Sequence, residues 1–167
     1  MSLVLHIGTA LAISLTGHAL PTGAAAWLPQ GNVATGAAMK MLGVPYSWGG
    51  GGPRGPTYGV GRGAKTRGFD CAGLTEYAWA QAGVRIGASS YEQWRAGQKV
   101  IRTRVRAGDL VFFDTKPKQP GPDHVGLAVS NTQMVVAPYT GAVVRLELID
   151  RLSYLGAIRP SPQGARL

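Results

Sequence analysis

One cysteine and one histidine carry the strongest chemical signal in the sequence. The single cysteine, Cys71, lies in the stretch GFDCAGL at 68–74, where a tight turn is predicted to open a helix. Of the three histidines, His6 and His18 lie in an apolar N-terminal segment, whereas His124 begins a strand-like run. A thiol at a helix start and an imidazole from a strand form the minimal apparatus for nucleophilic attack on a carbonyl carbon.

The position of Cys71 predicts an activated thiol. Unpaired amides and the dipole of the first helical turn favour the thiolate, so we expect the pKa of Cys71 to lie below its usual ~8.5. We expect Gly68 and Gly73 to let a carbonyl substrate approach closely, and nearby amides to stabilise an oxyanion. Either residue alone is better explained as a buried thiol or a surface histidine, but the combination favours a catalytic pair.

Composition limits the classes of protein. With 167 residues, 45% of them hydrophobic, the chain is long enough for one domain with a core. A formal charge of +9 favours an anionic partner: nucleic acid, acidic lipid or an anionic cell-wall polymer. The basic residues are scattered through predicted loops without a nucleic-acid-binding motif, so we expect no nucleic acid partner. A single cysteine excludes an intramolecular disulfide, no Cys/His cluster has metal-ligand spacing, and we expect no metal or cofactor.

The N-terminal segment predicts export. Residues 2–26 are apolar and uncharged apart from two histidines, and they end in small residues suited to cleavage, although a positive n-region is missing. The alternatives are a buried N-terminal helix or a truncated start. We divide the chain into a signal-like or N-terminal extension at 1–31, a catalytic domain at 32–160 and a tail at 161–167.

The first half of the domain predicts helices around a glycine-rich loop. Helices are expected at 32–42, N-capped by Asn32, at 71–82, ended by Gly83, and at 91–96, N-capped by Ser89 or Ser90. Residues 49–68 contain nine glycines and predict a long loop.

The second half predicts strands. Apolar runs occur at 109–113, 124–129, 133–137, 141–148 and 156–159, and Ser130-Asn131-Thr132 predicts a hairpin turn. Helices followed by sequential strands predict an α+β fold, with N-terminal helices packed on an antiparallel sheet.

Four motifs together resemble the NlpC/p60 family, the papain-like cysteine peptidases of bacterial cell walls. They are LGVPYSWGG at 42–50, GFDCAGL at 68–74, RAGDLVFF at 106–113 and DHVGL at 123–127. They occur in the family's order, and the resemblance covers roughly residues 33–160. The glycine-rich insertion before Cys71 is similar to that of the mycobacterial cell-wall endopeptidases.

The resemblance implies a papain-like fold and cleavage of peptidoglycan stem peptides, typically at the γ-D-glutamyl–meso-diaminopimelate bond. Cys71 would be the nucleophile and His124 the general base. Tyr46 would lie beside the cysteine and help to stabilise the intermediate. Asp70 and Ser90 would contact substrate, although packing and turn chemistry explain these two equally well. The protein would be secreted or associated with the cell wall.

Two positions depart from the family's pattern. The third catalytic residue of the family is a polar side chain twelve positions after the histidine, and here that position is Val136. Valine cannot accept a hydrogen bond from the imidazole, and strand alternation puts Gln133 on the opposite face. A backbone carbonyl or a water would then orient His124, which predicts a slow Cys–His dyad. At Ala88, related sequences often carry Arg, which questions the usual handling of substrate carboxylates.

Three functions therefore remain open. The first is a slow cysteine endopeptidase of peptidoglycan. The second is a weakly active or inactive module that binds peptidoglycan peptides with the same fold. The third is another papain-like activity, such as an amidase or acyltransferase, because a fold alone does not fix a function.

Overall fold

The computed structural model describes residues 28–116 and 118–161. The predicted export segment at 2–26 lies outside these residues, as does most of the predicted tail. None of the helices in the described ranges is long and apolar enough to cross a membrane. The division of the chain into extension, domain and tail stays a prediction.

The first helix, α1 (Leu28–Met39), packs against the second, α2 (Cys71–Gln81). The small side chains of Ala34 and Ala38 are fully buried and belong to the same core as Leu74. The predicted N-cap at Asn32 is wrong, because the helix begins four residues earlier and Asn32 lies inside it. A proline in the first turn is compatible with this earlier start, since the N–H it lacks would have no helical partner there.

The glycine after the second helix and the cap of the third are confirmed, whereas the third helix ends at Gln93 and not at the predicted residue 96. Gly83 follows α2 with φ of +75°, a conformation that favours glycine. The third helix, α3 (Ser90–Gln93), is capped by Ser89, whose side chain accepts a hydrogen bond from the Glu92 amide while the Glu92 carboxylate accepts one from the Ser89 amide. This capping box fixes the start of the short helix.

The glycine-rich segment is folded rather than an open loop. Strands β1 (Thr57–Tyr58) and β2 (Arg67–Gly68) form a two-stranded antiparallel ribbon around a short 3₁₀ turn. The buried Ser47 hydroxyl lies 3.2 Å from the Gly63 carbonyl oxygen and 2.7 Å from that of Thr66. The segment is therefore tied back to the chain just before it.

Six further strands form one antiparallel sheet, as predicted. They are β3 (Gly97–Val100), β4 (Leu110–Phe113), β5 (His124–Ala128), β6 (Gln133–Val136), β7 (Arg145–Leu148) and β8 (Tyr154–Pro160). Their spatial order is β3-β8-β4-β5-β6-β7, so the last strand lies between β3 and β4. Helices beside an antiparallel sheet confirm the α+β class.

Both faces of the central strand β4 are buried. Leu110 and Phe112 belong to the core that includes the helices, whereas Val111 and Phe113 belong to a second core on the other face. This explains why the strand runs are continuously apolar rather than alternating. An ion pair joins β4 to β8, because the buried Asp109 carboxylate accepts hydrogen bonds of 2.7 and 2.8 Å from the Arg159 guanidinium.

The β5–β6 hairpin sets the geometry around the histidine. Leu127 pairs with Val135 and Ala128 with Met134. Because side chains alternate along a strand, this register places His124 and Val136 on the same face. The predicted opposition of Gln133 and Val136 is confirmed, since both lie in the regular strand β6 at positions three apart.

Candidate active site

Cys71 is the first residue of α2, and Asp70 is its N-cap. One carboxylate oxygen of Asp70 accepts a hydrogen bond of 2.7 Å from the Gly73 amide, and the other accepts one of 3.1 Å from the Gly49 amide. Asp70 thereby caps the helix and joins it to the glycine-rich segment.

The glycines beside Cys71 serve packing rather than substrate approach. A side chain at Gly68 would collide with the carbonyl oxygen of Pro45, and one at Gly73 would collide with that of Gly50. The sequence-based explanation of these two glycines is therefore wrong. They let the backbone before α2 and in its first turn pack directly on neighbouring backbone, which fixes the position of the thiol.

The expected lowering of the Cys71 pKa is also wrong. Burial raises the pKa of the thiol to about 12, and the negative charge of Asp70 adds to this effect. The amides of Val125, Ala72 and Cys71 itself oppose the rise in this pKa. Because the Asp70 carboxylate already occupies the helix N-terminus, its negative charge offsets the stabilisation that the helix dipole would give to the Cys71 thiolate. Cys71 is a neutral thiol at pH 7.

His124 is the first residue of β5 and pairs with Phe113 across the sheet. The two ring centroids are 6.0 Å apart. Burial, together with the positive charge of Arg151, lowers the pKa of His124 to about 4, and Asp123 acts in the opposite direction. The imidazole is therefore neutral at pH 7 and able to accept a proton.

Tyr46 lies in a buried position beside the thiol. Its backbone forms a bridge with Phe69, two residues before Cys71. Burial raises the pKa of Tyr46 to about 12, and the nearby groups of Cys71 and Asp70 add to it. The phenol therefore keeps its proton at neutral pH and can donate a hydrogen bond.

The third position of the family's pattern is apolar in space as well as in sequence. Val136 is 0% exposed and packs with Val111 and Phe113 in the second core. On the neighbouring strand β7, its pairing partner is Arg145. In the ranges that the structure describes, no hydrogen-bond partner is found for the His124 ring.

Cys71 and His124 line one cleft of about 630 Å³. Other residues that line it are Tyr46, Trp48, Arg62, Lys116, Asp123, Tyr139, Arg145, Glu147 and Arg151. Asp70 and Ser90 are not among the lining residues, and Ser90 is 8% exposed. Contact of these two residues with substrate stays a prediction. No group of three or more His, Cys, Asp or Glu suited to a metal ion occurs in the described part of the chain.

The cleft contains charged residues that the sequence did not single out. The Arg62 guanidinium lies 4.1 Å from the centre of the Trp48 ring. Elsewhere in the cleft, Arg145 and Arg151 both form salt bridges with Glu147. The two-residue spacing of Arg145 and Glu147 in a predicted strand was the available signal, because it places both side chains on one face.

Sequence comparison extends the resemblance beyond single motifs. The chain is 43% identical over 108 residues to the peptidoglycan endopeptidase RipA of Mycolicibacterium smegmatis. That match covers 65% of this chain and 21% of RipA, so the chain spans about a fifth of this relative.

Two solved structures from Mycobacterium tuberculosis have similar folds. The peptidoglycan hydrolase RipB superposes with a TM-score of 0.73 and 36% identity, over 84% of this chain and 68% of that one. RipD, described as a non-catalytic NlpC/p60 domain protein adapted to peptidoglycan binding, has a TM-score of 0.69 and 36% identity. That match covers 78% of this chain and 96% of RipD.

Solved forms of RipA are mutated at a cysteine, a histidine and a glutamate. The last two are twelve positions apart in RipA, as are His124 and Val136 in this chain. Residues 43–154 match the NlpC/P60 family itself. This range includes the cysteine block, the histidine and the whole hairpin, so the resemblance is confirmed and the chain belongs to the NlpC/P60 family.

Proposed function

We propose that the protein is a cysteine endopeptidase that cleaves peptidoglycan stem peptides. The observation that carries this proposal is the meeting of Cys71, His124 and Tyr46 at one cleft, with all three neutral at pH 7. A neutral imidazole is the form that can accept the thiol proton. The names of RipA and RipB support peptidoglycan as the substrate class.

In the first step, the Cys71 sulfur attacks the carbonyl carbon of the peptide bond while His124 takes the thiol proton. The carbonyl oxygen becomes an oxyanion. The protonated phenol of Tyr46 is suited to donate a hydrogen bond to it, and the amides of Ala72 and Val125 already stabilise negative charge at the sulfur. The imidazolium then gives its proton to the leaving amine, and the C–N bond breaks to leave a thioester on Cys71.

In the second step, water attacks the thioester carbonyl and His124 again acts as the general base. The C–S bond breaks, the acid product leaves, and the proton returns to the sulfur. Each proton taken by the imidazole is given back within the same half-reaction, so this reaction sequence requires no cofactor.

The same geometry supports a slow reaction. Val136 offers no acceptor for the imidazole N–H, and the positive charge of Arg151 disfavours the imidazolium that forms during attack. Removing an acidic orienting residue costs up to ~10⁴ in rate in serine triads, although cysteine nucleophiles depend on it less.

The bond proposed for cleavage is γ-D-glutamyl–meso-diaminopimelate, from the family resemblance. The formal charge of +9 suits an anionic cell wall, where an exported protein would act. Anionic wall polymers are proposed as secondary partners for the same reason.

A binding module is the second candidate, and two observations favour it. Val136 is apolar, and the related RipD is described as non-catalytic and adapted to peptidoglycan binding. In this alternative the cleft holds wall peptides without efficient turnover.

One assay separates the two. Diaminopimelate-containing muropeptides are incubated with the protein and, as a control, with Cys71→Ala, and new free amines are followed by mass spectrometry. The peptidase proposal predicts products that depend on Cys71. Binding with no such product after long incubation would support the module instead.

A further inference from the structure

Three charged residues form a cluster at the edge of the cleft. Arg145 and Glu147 alternate along β7, and the Glu147 oxygen Oε1 accepts from Arg145 Nε at 2.7 Å and Nη2 at 2.6 Å. The other oxygen of Glu147 pairs with Arg151. We call these three residues the arginine–glutamate cluster. With one carboxylate between two guanidinium groups, it has a net charge of +1.

Packing orients both guanidinium groups. Arg145 lies 5.3 Å from the centre of the Tyr139 ring, and Arg151 lies 5.4 Å from that of Phe113. Arg151 Nε also donates to the Leu148 carbonyl oxygen at 3.1 Å. Each guanidinium has five N–H donors, which is more than these contacts use.

Exposure shows which charges reach the cleft. The Glu147 side chain is 14% exposed, whereas those of Arg145 and Arg151 are 42% and 34% exposed. The negative partner is covered and the positive partners face solvent. This arrangement favours an incoming anion.

The cluster lies within reach of the reacting bond. His124 and Val136 share a face of the sheet, and Val136 pairs with Arg145 on the next strand. In the β5–β6 register, His124 lies two residues along β5 from the position opposite Val136. Two strand spacings and two residue rises therefore place the Cα atoms of Arg145 and His124 about 12 Å apart. An extended peptide rises about 3.3 Å per residue, so a group bound at the cluster lies within about four residues of a bond held at His124.

We propose that Arg145 and Arg151 form a subsite for a carboxylate of the substrate peptide, preoriented by Glu147. The inference rests on the proposed function, because it assumes a peptide in this cleft. A guanidinium fork matches a carboxylate with paired hydrogen bonds, which a carboxamide cannot reproduce. A γ-D-glutamyl–diaminopimelate peptide has free carboxylates beside its scissile bond, since the γ linkage leaves the glutamyl α-carboxylate unused.

The test uses binding, so that it does not depend on turnover. Cys71→Ala protein is titrated by calorimetry with a diaminopimelate stem peptide whose carboxylates are free. It is then titrated with peptides in which one carboxylate at a time is a carboxamide. One carboxamide is expected to bind about 10- to 100-fold more weakly. Because this comparison changes the peptide, it does not depend on the folding of a variant.

Matched variants then locate the effect. In the Cys71→Ala background, Arg145→Gln and Arg151→Gln are expected to bind the acid and that carboxamide with nearly equal affinity. Arg62→Gln is the control, because it removes one positive charge from the same cleft at a different place, over Trp48. It is expected to keep the ratio of the two affinities.

Several results would overturn the subsite. The first is that every carboxamide binds as tightly as the acid, and the second is that no peptide binds. The third is that the ratio of acid to carboxamide affinity survives in both arginine variants, and the fourth is that Arg62→Gln loses this ratio to the same extent. A parallel cleavage assay with unaltered protein separates the two proposals. Discrimination without cleavage keeps the subsite and removes the peptidase, whereas cleavage without discrimination does the reverse.

Discussion

The resting state of Cys71 can be tested by its rate of alkylation. A thiol with a pKa of about 12 is ionised in about one molecule in 10⁵ at pH 7. An ordinary cysteine with a pKa of ~8.5 is about 3% ionised at that pH. The thiolate of the less acidic thiol is intrinsically more nucleophilic, by a factor of about 30 to 50 for this pKa difference. Alkylation of Cys71 should therefore be about a hundredfold slower than that of a free cysteine.

The pH dependence gives a sharper test than the absolute rate. With a neutral thiol beside a neutral imidazole, the rate with iodoacetamide should rise about tenfold per pH unit from pH 6 to pH 10. Mass spectrometry of the intact protein measures it, since Cys71 is the single cysteine. His124→Ala should show the same slope.

A preformed thiolate–imidazolium pair would behave differently. The rate would already be high at pH 5 and constant to about pH 8, and His124→Ala would remove that plateau. Such a profile would refute the electrostatic reasoning about Asp70 and burial.

Three further predictions concern stability and rate. His124 has a pKa of ~6.5 in the unfolded state and about 4 in the folded state, so the unfolded state binds the proton more tightly. The free energy of unfolding should therefore fall by about 3 kcal/mol as the pH drops from 7 to 4. Urea titrations should show that this loss is smaller in His124→Gln. Asp109→Ala removes the buried carboxylate that pairs with Arg159 and should lower the free energy of unfolding in urea by about 3–5 kcal/mol. Asp150→Ala removes one partner of an exposed ion pair and should lower it by at most about 1 kcal/mol. Val136→Glu places a hydrogen-bond acceptor on the same face of the sheet as His124 and should raise kcat/KM for muropeptides at least ~10-fold, whereas Val136→Met should not. An unchanged rate in a folded Val136→Glu protein would mean that another group already orients the imidazole.

Local pattern was sufficient for the main strands of the fold. The runs that became β4, β5 and β6 are apolar apart from His124 and Gln133 at the starts of the last two, and their apolar residues are buried on both faces of the sheet. Strand β3 was missed because Gln98 and Lys99 are exposed on an edge. Strand β3 is held by its pairing with β8, which lies about sixty residues later in the sequence. A local sequence pattern contains no information about such a distant partner.

The candidate site was predictable in its reactive atoms but not in its electrostatics. Cys71 and His124 stood out because few residues of their types exist in the chain. The acidity of the thiol was misjudged because the burial of the sulfur depends on the tertiary fold, and because Asp70 was considered as a substrate contact and not as a negative charge beside the thiol. The spacing of Arg145 and Glu147 within one strand was visible in the sequence, but the approach of Arg151 to Glu147 depends on the path of the chain beyond β7.

The insertion of β8 between β3 and β4 constrains how the molecule can assemble. Residues 154–160 are among the last described, yet β3 has no neighbour in the sheet until they arrive. A growing chain can form the β4–β7 meander early, but β3 must wait until the C-terminal segment has been made. A chain cut before Tyr154 would lose an interior strand rather than an end, and β3 would then have no partner through which to join the β4–β7 meander.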